Sequence, residues 1–107
     1  MGDPETQVVF PRMENDFGEI LLAIRSKEIS KIKLKIEDKF ATAICAVSGG
    51  YPEGYQSGKK INGIEDIEGS NIFHAGTVLK SPNIFTNGGR VLAITSLEES
   101  FKDSISK

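Results

Sequence analysis

Two β-rich runs, residues 72–79 and 84–94, limit most strongly what this chain can fold into. They read IFHAGTVL and IFTNGGRVLAI, with Ser81-Pro82-Asn83 between them and Asn87-Gly88-Gly89 inside the second. β-Branched and aromatic side chains bounded by turn residues mark strands. Asn-Gly supplies the positive φ angles of a tight type I′ turn, so residues 84–86 and 90–94 are predicted to pair as an antiparallel hairpin. His74 and Arg90 are the polar exceptions, each at a defined place on a stiff scaffold where binding side chains are often mounted. Their structural readings are a half-buried strand histidine with a satisfied ring and a solvated edge charge.

A chain of 107 residues fits one domain, which can bury about two-thirds of its unfolded surface. With 38% apolar and 26% charged residues, the composition is that of a globular protein and not a disordered one. Thirteen basic residues against fifteen acidic give a net charge of −2, and the longest basic run is Lys59-Lys60. A nucleic-acid footprint needs a concentrated basic face, so nucleic acid is not an expected partner. The single cysteine, Cys45, allows no internal disulfide, fits a reducing, cytoplasmic setting, and with the single histidine allows no His/Cys zinc cluster. No apolar run approaches the ~20 residues that span a bilayer and no signal-peptide pattern opens the chain, so no membrane partner is expected.

The opening Gly2-Asp3-Pro4-Glu5-Thr6-Gln7 places two carboxylates around a proline. Proline pushes the residue before it toward an extended backbone, which would let Asp3 and Glu5 project from one side toward a metal or an amine. A solvated turn is the structural alternative. Asp16 then reads as a helix N-cap, with Glu19 completing a capping-box-like pair. Phe17, Ile20, Leu21 and Ile24 continue at helical spacing for about three turns. Residues 31–37 alternate strictly, with Ile32, Leu34 and Ile36 against Lys31, Lys33, Lys35 and Glu37, and predict a half-exposed strand. The nearly continuous apolar run Phe40–Val47 predicts a central strand buried on both faces, with Cys45 as a small hydrophobe. Ser96, Leu97, Glu98 and Glu99 suggest a second capping box, followed by Leu97, Phe101 and Ile105 on a short helix that runs out at Lys107 without a C-cap.

Between the apolar run and the β-rich runs lies SGGYPEGYQSGKKI, residues 48–61. Four glycines and a proline in fourteen residues predict an irregular loop whose backbone amides could cradle an anion. It is not a phosphate-binding P-loop. Gly54 to Gly58-Lys59-Lys60 is one residue short of that motif and lacks its hydroxyl, and no helix follows. The order of elements predicts a mainly β domain with peripheral α-helices.

Five segments in order, GDPETQ, PRMENDFGEILLA, SGGYPEGYQSGKKI, NIFHAGT and TNGGRVLAIT, resemble the carboxy-terminal part of the phosphoribosylamine–glycine ligase family, within the ATP-grasp superfamily. The resemblance covers essentially all of residues 2–101. It implies a small barrel-like β-sandwich, the rudimentary hybrid motif of that superfamily. It also implies a division into residues 1–30, the end of the catalytic domain with a connecting helix, and residues 31–107, the carboxy-terminal β domain. The implied activity of the parent is ATP-dependent joining of glycine to 5-phosphoribosylamine in purine biosynthesis, through a glycyl phosphate. ATP and magnesium are its implied cofactors, and the missing ATP-grasp domain is an implied partner.

The resemblance places the magnesium ligands and the nucleotide-clamping lysine before Met1, so no catalytic or metal residue is expected intact in this chain. Phosphoryl transfer depends on magnesium and cationic clamps positioned on the phosphates, so the chain alone is expected to be inert. Asp3, Glu5, Gly49, Gly50, Tyr51, Pro52, His74 and Arg90 match family motifs and are the candidate substrate-binding or active-site-wall residues. Alternative readings are a stand-alone β binding module for a phosphate-containing ligand and a biotinyl- or lipoyl-type carrier. The carrier reading needs a lysine between methionines on a hairpin tip, which Lys59-Lys60 in a glycine loop does not provide.

Overall fold

The computed structural model describes residues 2–106; the predicted end of the last helix at Lys107, like the start of the 1–30 unit at Met1, falls outside them. Three helices, α1 (Thr6–Val9), α2 (Phe17–Arg25) and α3 (Phe101–Ser106), flank six strands. The strands are β1 (Phe40–Val47), β2 (Lys60–Ile61), β3 (Asn71–His74), β4 (Thr77–Lys80), β5 (Asn83–Thr86) and β6 (Arg90–Glu98). They form two three-stranded antiparallel sheets, ordered β1-β6-β3 and β2-β5-β4. The fold is therefore mainly β with short peripheral helices, as the sequence predicts. None of the helices among the described residues is long and apolar enough to cross a membrane.

The central strand is β6, not β1. Val91, Leu92, Ala93, Thr95 and Ser96 of β6 are buried, whereas β1 lies at the sheet edge and Ile44 is 58% exposed. A continuous apolar run does suit a strand covered on both faces. What decides centrality, however, is which strands pair, and β6 pairs with β1 from Arg90 to Glu98 and with β3 from Leu92 to Thr95. Its buried hydroxyls are satisfied: Thr95 donates to Gln7 O at 2.7 Å, and Ser96 shares a 2.7 Å hydrogen bond with Ser70. Such pairing is what lets polar side chains sit inside.

The predicted hairpin between residues 84–86 and 90–94 does not form. β5 pairs with β4 and β2, and the turn at residues 87–89 carries the chain into the other sheet. Asn87, Gly88 and Gly89 have no positive φ, so the type I′ geometry is absent. The glycines instead serve close approach. Asn87 N donates to Gly76 O and Gly76 N donates to Arg90 O, both at 2.8 Å. A Cβ on Gly76 would stand 2.6 Å from Arg90 O and 2.9 Å from Gly88 Cα.

Residues 31–37 are not a strand either, and Lys31 ends a 3-10 turn, Ile29–Lys31. Their backbone is taken up by the segment before α2: Asn15 Oδ1 accepts from Lys35 N at 2.6 Å and Asn15 Nδ2 donates to Lys33 O at 3.0 Å. Only an isolated bridge, Met13 with Ile36, remains. A side-chain amide that engages the backbone in this way competes with a strand ladder. Lys60 and Ile61, predicted inside the irregular loop, pair with β5 as β2.

At the chain's end, Ser96 to Glu98 belong to β6 and Ser100 is the actual cap of α3, accepting from Asp103 N at 3.1 Å. Helix α2 forms with the predicted Asp16 cap, its Oδ1 accepting from Gly18 N at 2.7 Å, but Glu19 does not complete the capping box. Asp16→Ala is expected to lower stability by about 0.5–2 kcal/mol, read from the urea midpoint; an unchanged midpoint would show the cap to be idle.

Candidate functional site

The candidate residues gather, in part, where β6 begins. The register of β1 on β6 slips between Ala46–Leu92 and Val47–Arg90, a bulge of the kind that re-aims a side chain at a strand end. Arg90 emerges there, and its Nη2 donates to Asp3 Oδ2 at 2.7 Å. Residues 87 positions apart are thus joined. Asp3 does not lie on the predicted extended segment. It sits in a turn ahead of α1, for which Glu5 is the N-cap residue.

The glycine loop reaches the same place through Ser48. This side chain is buried at the end of β1, and its Oγ donates to Gly88 O while its N–H donates to Gly89 O, both at 2.7 Å. Ser48 O also accepts from Tyr51 N at 3.0 Å, closing the turn that contains Gly49 and Gly50. Gly50 has φ +94°, and a Cβ there would run into the Gly54 carbonyl oxygen. The Tyr51 ring lies over Gly89, where a Cβ would enter it, and packs 6.2 Å from the Tyr55 ring. The loop therefore folds back as an aromatic cover over the glycine turn that leads to Arg90.

The structure thus brings Asp3, Arg90, Gly49, Gly50 and Tyr51 to one end of the β6 sheet, and Pro52 follows Tyr51 in the exposed loop. Glu5 and His74 have other neighbours. Glu5 folds back on Gly2. His74 is exposed at the end of β3, opposite Leu92, with Nδ1 2.9 Å from Thr77 Oγ1. A satisfied ring was expected for His74, but half-burial was not found. Sequence reading missed Ser48 and Tyr55. Ser48 carries no motif of its own, whereas the spacing of Tyr51 and Tyr55 in a glycine loop was a signal that could have been used. Among the described residues no group of three His, Cys, Asp or Glu side chains could hold a metal ion, so no magnesium chemistry is assigned to them. Chemically, the cluster offers a part-exposed cation with a planar fork of donors and, in the neighbouring loop, open backbone at Gly49.

A family described as "Phosphoribosylglycinamide synthetase, C domain" matches residues 41–107. The chain is 48% identical to the bifunctional purine biosynthetic protein purD of Dictyostelium discoideum, over 98% of this chain and 13% of that protein. It is 42% identical to a phosphoribosylamine–glycine ligase of Caldanaerobacter subterraneus subsp. tengcongensis, over 96% of this chain and 25% of that one. The crystal structure of phosphoribosylamine–glycine ligase from Thermotoga maritima superposes on the whole chain with a TM-score of 0.78 at 29% identity, covering 26% of that enzyme. The chain spans a quarter or less of the length of these curated relatives.

Proposed function

The chain belongs to the phosphoribosylglycinamide synthetase C-domain family, and from that premise we propose that it serves as the C domain of an ATP-dependent phosphoribosylamine–glycine ligase of purine biosynthesis, in the cytoplasm. In this reading residues up to 30 close the catalytic domain and residues from 31 form the C domain. The observation that carries the functional reading is the 2.7 Å contact between Asp3 and Arg90 beside the glycine loop. Three of the segments by which the sequence resembles the family meet there. Arg90 binds a phosphate group of substrate or intermediate through charge-assisted hydrogen bonds. Gly49, with open space where a side chain would stand, lets the ligand approach the backbone, Gly50 makes the turn that the Gly54 carbonyl closes, and Tyr51 and Tyr55 shield the turn behind it.

ATP and magnesium belong to the part of the ligase outside these residues, and none of residues 2–106 is given a step on them. The surface supports a role inside a larger protein. Leu21, Leu22 and Ile24 of α2 are exposed, and exposed apolar side chains gathered on one element mark surfaces that another body covers.

With glycine, 5-phosphoribosylamine, ATP and magnesium, the chain alone is expected to form no product above the blank. Joined to the rest of a ligase of this family, it is expected to support turnover. Product formation by the isolated chain, free of contaminating ligase, would overturn the reading.

A further inference from the structure

Among the described residues the Arg90 guanidinium has one hydrogen-bond partner, Asp3. A guanidinium carries five donors in a planar fork that matches two-point binding of phosphate. A single donor, Nη2, is engaged, and the pair is open to solvent, with side-chain exposures of 40% for Arg90 and 63% for Asp3. An exposed pair of this kind is weak, at most about a fivefold effect on an equilibrium. It is therefore strong enough to orient the side chain and weak enough to be exchanged. The start of β6 holds the arginine backbone in place, since Arg90 O accepts from Gly76 N at 2.8 Å. A change of partner then needs only a movement of side chains.

We propose that Asp3 is an internal counter-anion for the site. It holds the Arg90 guanidinium while no ligand is bound and yields it to a phosphate group. This rests on Arg90 being the phosphate-binding cation, as argued above. Which anion then takes the guanidinium depends on what that anion offers Arg90. An incoming carboxylate replaces Asp3 like for like and gains little, whereas a phosphate dianion brings a second charge and a third acceptor oxygen. Asp3 thus lowers the affinity for every anion by one common factor, and the preference for phosphate comes from the charge and oxygens that phosphate brings to Arg90.

The test is an NMR titration of the ¹⁵N-labelled chain with inorganic phosphate and, separately, with acetate, following Arg90 Nε–H and the Gly88 and Gly89 amides. Asp3→Asn and Asp3→Ala are both expected to tighten phosphate binding about two- to fivefold, because the internal competitor is gone. Arg90→Ala is expected to abolish it, and the native chain should bind acetate more weakly than phosphate. Phosphate affinity unchanged or reduced in both Asp3 variants, but still lost in Arg90→Ala, would overturn the counter-anion and leave the phosphate reading of Arg90 standing. Binding that survives Arg90→Ala, or that is absent from the native chain and both Asp3 variants, would overturn both. Acetate bound as tightly as phosphate would overturn Arg90 as a cation that prefers phosphate.

Discussion

Leu92→Ala is expected to lower the unfolding free energy by about 2–5 kcal/mol, the range for removing most of a buried leucine side chain. Leu92 is 8% exposed in the central strand, paired with Ala46 on one side and His74 on the other. Its small and polar neighbours cannot fill the space it would leave. Ile44→Ala on the adjoining strand is expected to cost about 1 kcal/mol or less, since more than half of that side chain already meets solvent and little apolar area is returned to it. The two residues differ by one methyl position in shape, so the contrast isolates burial. Urea melts of both variants check it. Equal midpoint shifts would contradict a core centred on β6.

That contrast also shows where sequence reasoning ends. The strand at Phe40–Val47 was legible from its apolar run, and helix α2 from its cap and spacing, because both signals are local. Edge or centre is a matter of long-range pairing. The polar Thr95 and Ser96 made the true central strand look less buried than it is. The Asn-Gly pair misled for a related reason: its local preference for a tight turn gave way to the crossing between sheets at Gly76 and Gly88. The alternating residues 31–37 had a strand's pattern, but Lys31 ends a 3-10 turn and Asn15 engages the backbone of Lys33 and Lys35.

The candidate site was legible as separate segments and not as an assembly. Asp3 and Arg90 stood out individually, yet nothing in their spacing announces a contact across 87 positions. Glu5 and His74 resembled site residues equally well, and the structure gives them different partners. Ser48, which ties the glycine loop to the turn before Arg90, is an ordinary serine at a strand end until its two hydrogen bonds are seen. A reading built on motifs finds residues that are unusual in sequence. Residues whose importance lies in whom they touch escape it.

The largest functional effect is expected from Arg90→Ala in a full-length ligase carrying this domain. A charge-assisted hydrogen bond to phosphate is worth about 1.5–3 kcal/mol, hence roughly a ten- to a hundredfold loss in kcat/KM. The fold should survive, because the Arg90 side chain's only described hydrogen-bond partner is the exposed Asp3, and its backbone bonds do not depend on the side chain. Gly50→Val should act in the same direction through the loop. It puts a branched side chain at φ +94° against the Gly54 carbonyl, a conformation L-residues rarely adopt, while residues 49–60 are exposed and add little to the core. The decisive measurement is therefore paired: steady-state kinetics for each substrate and a thermal melt on the same preparations of Arg90→Ala. The account predicts a ten- to a hundredfold lower kcat/KM at a nearly unchanged Tm. Full specific activity of the folded fraction, with a lowered Tm, would contradict it and leave Arg90 as a structural tie.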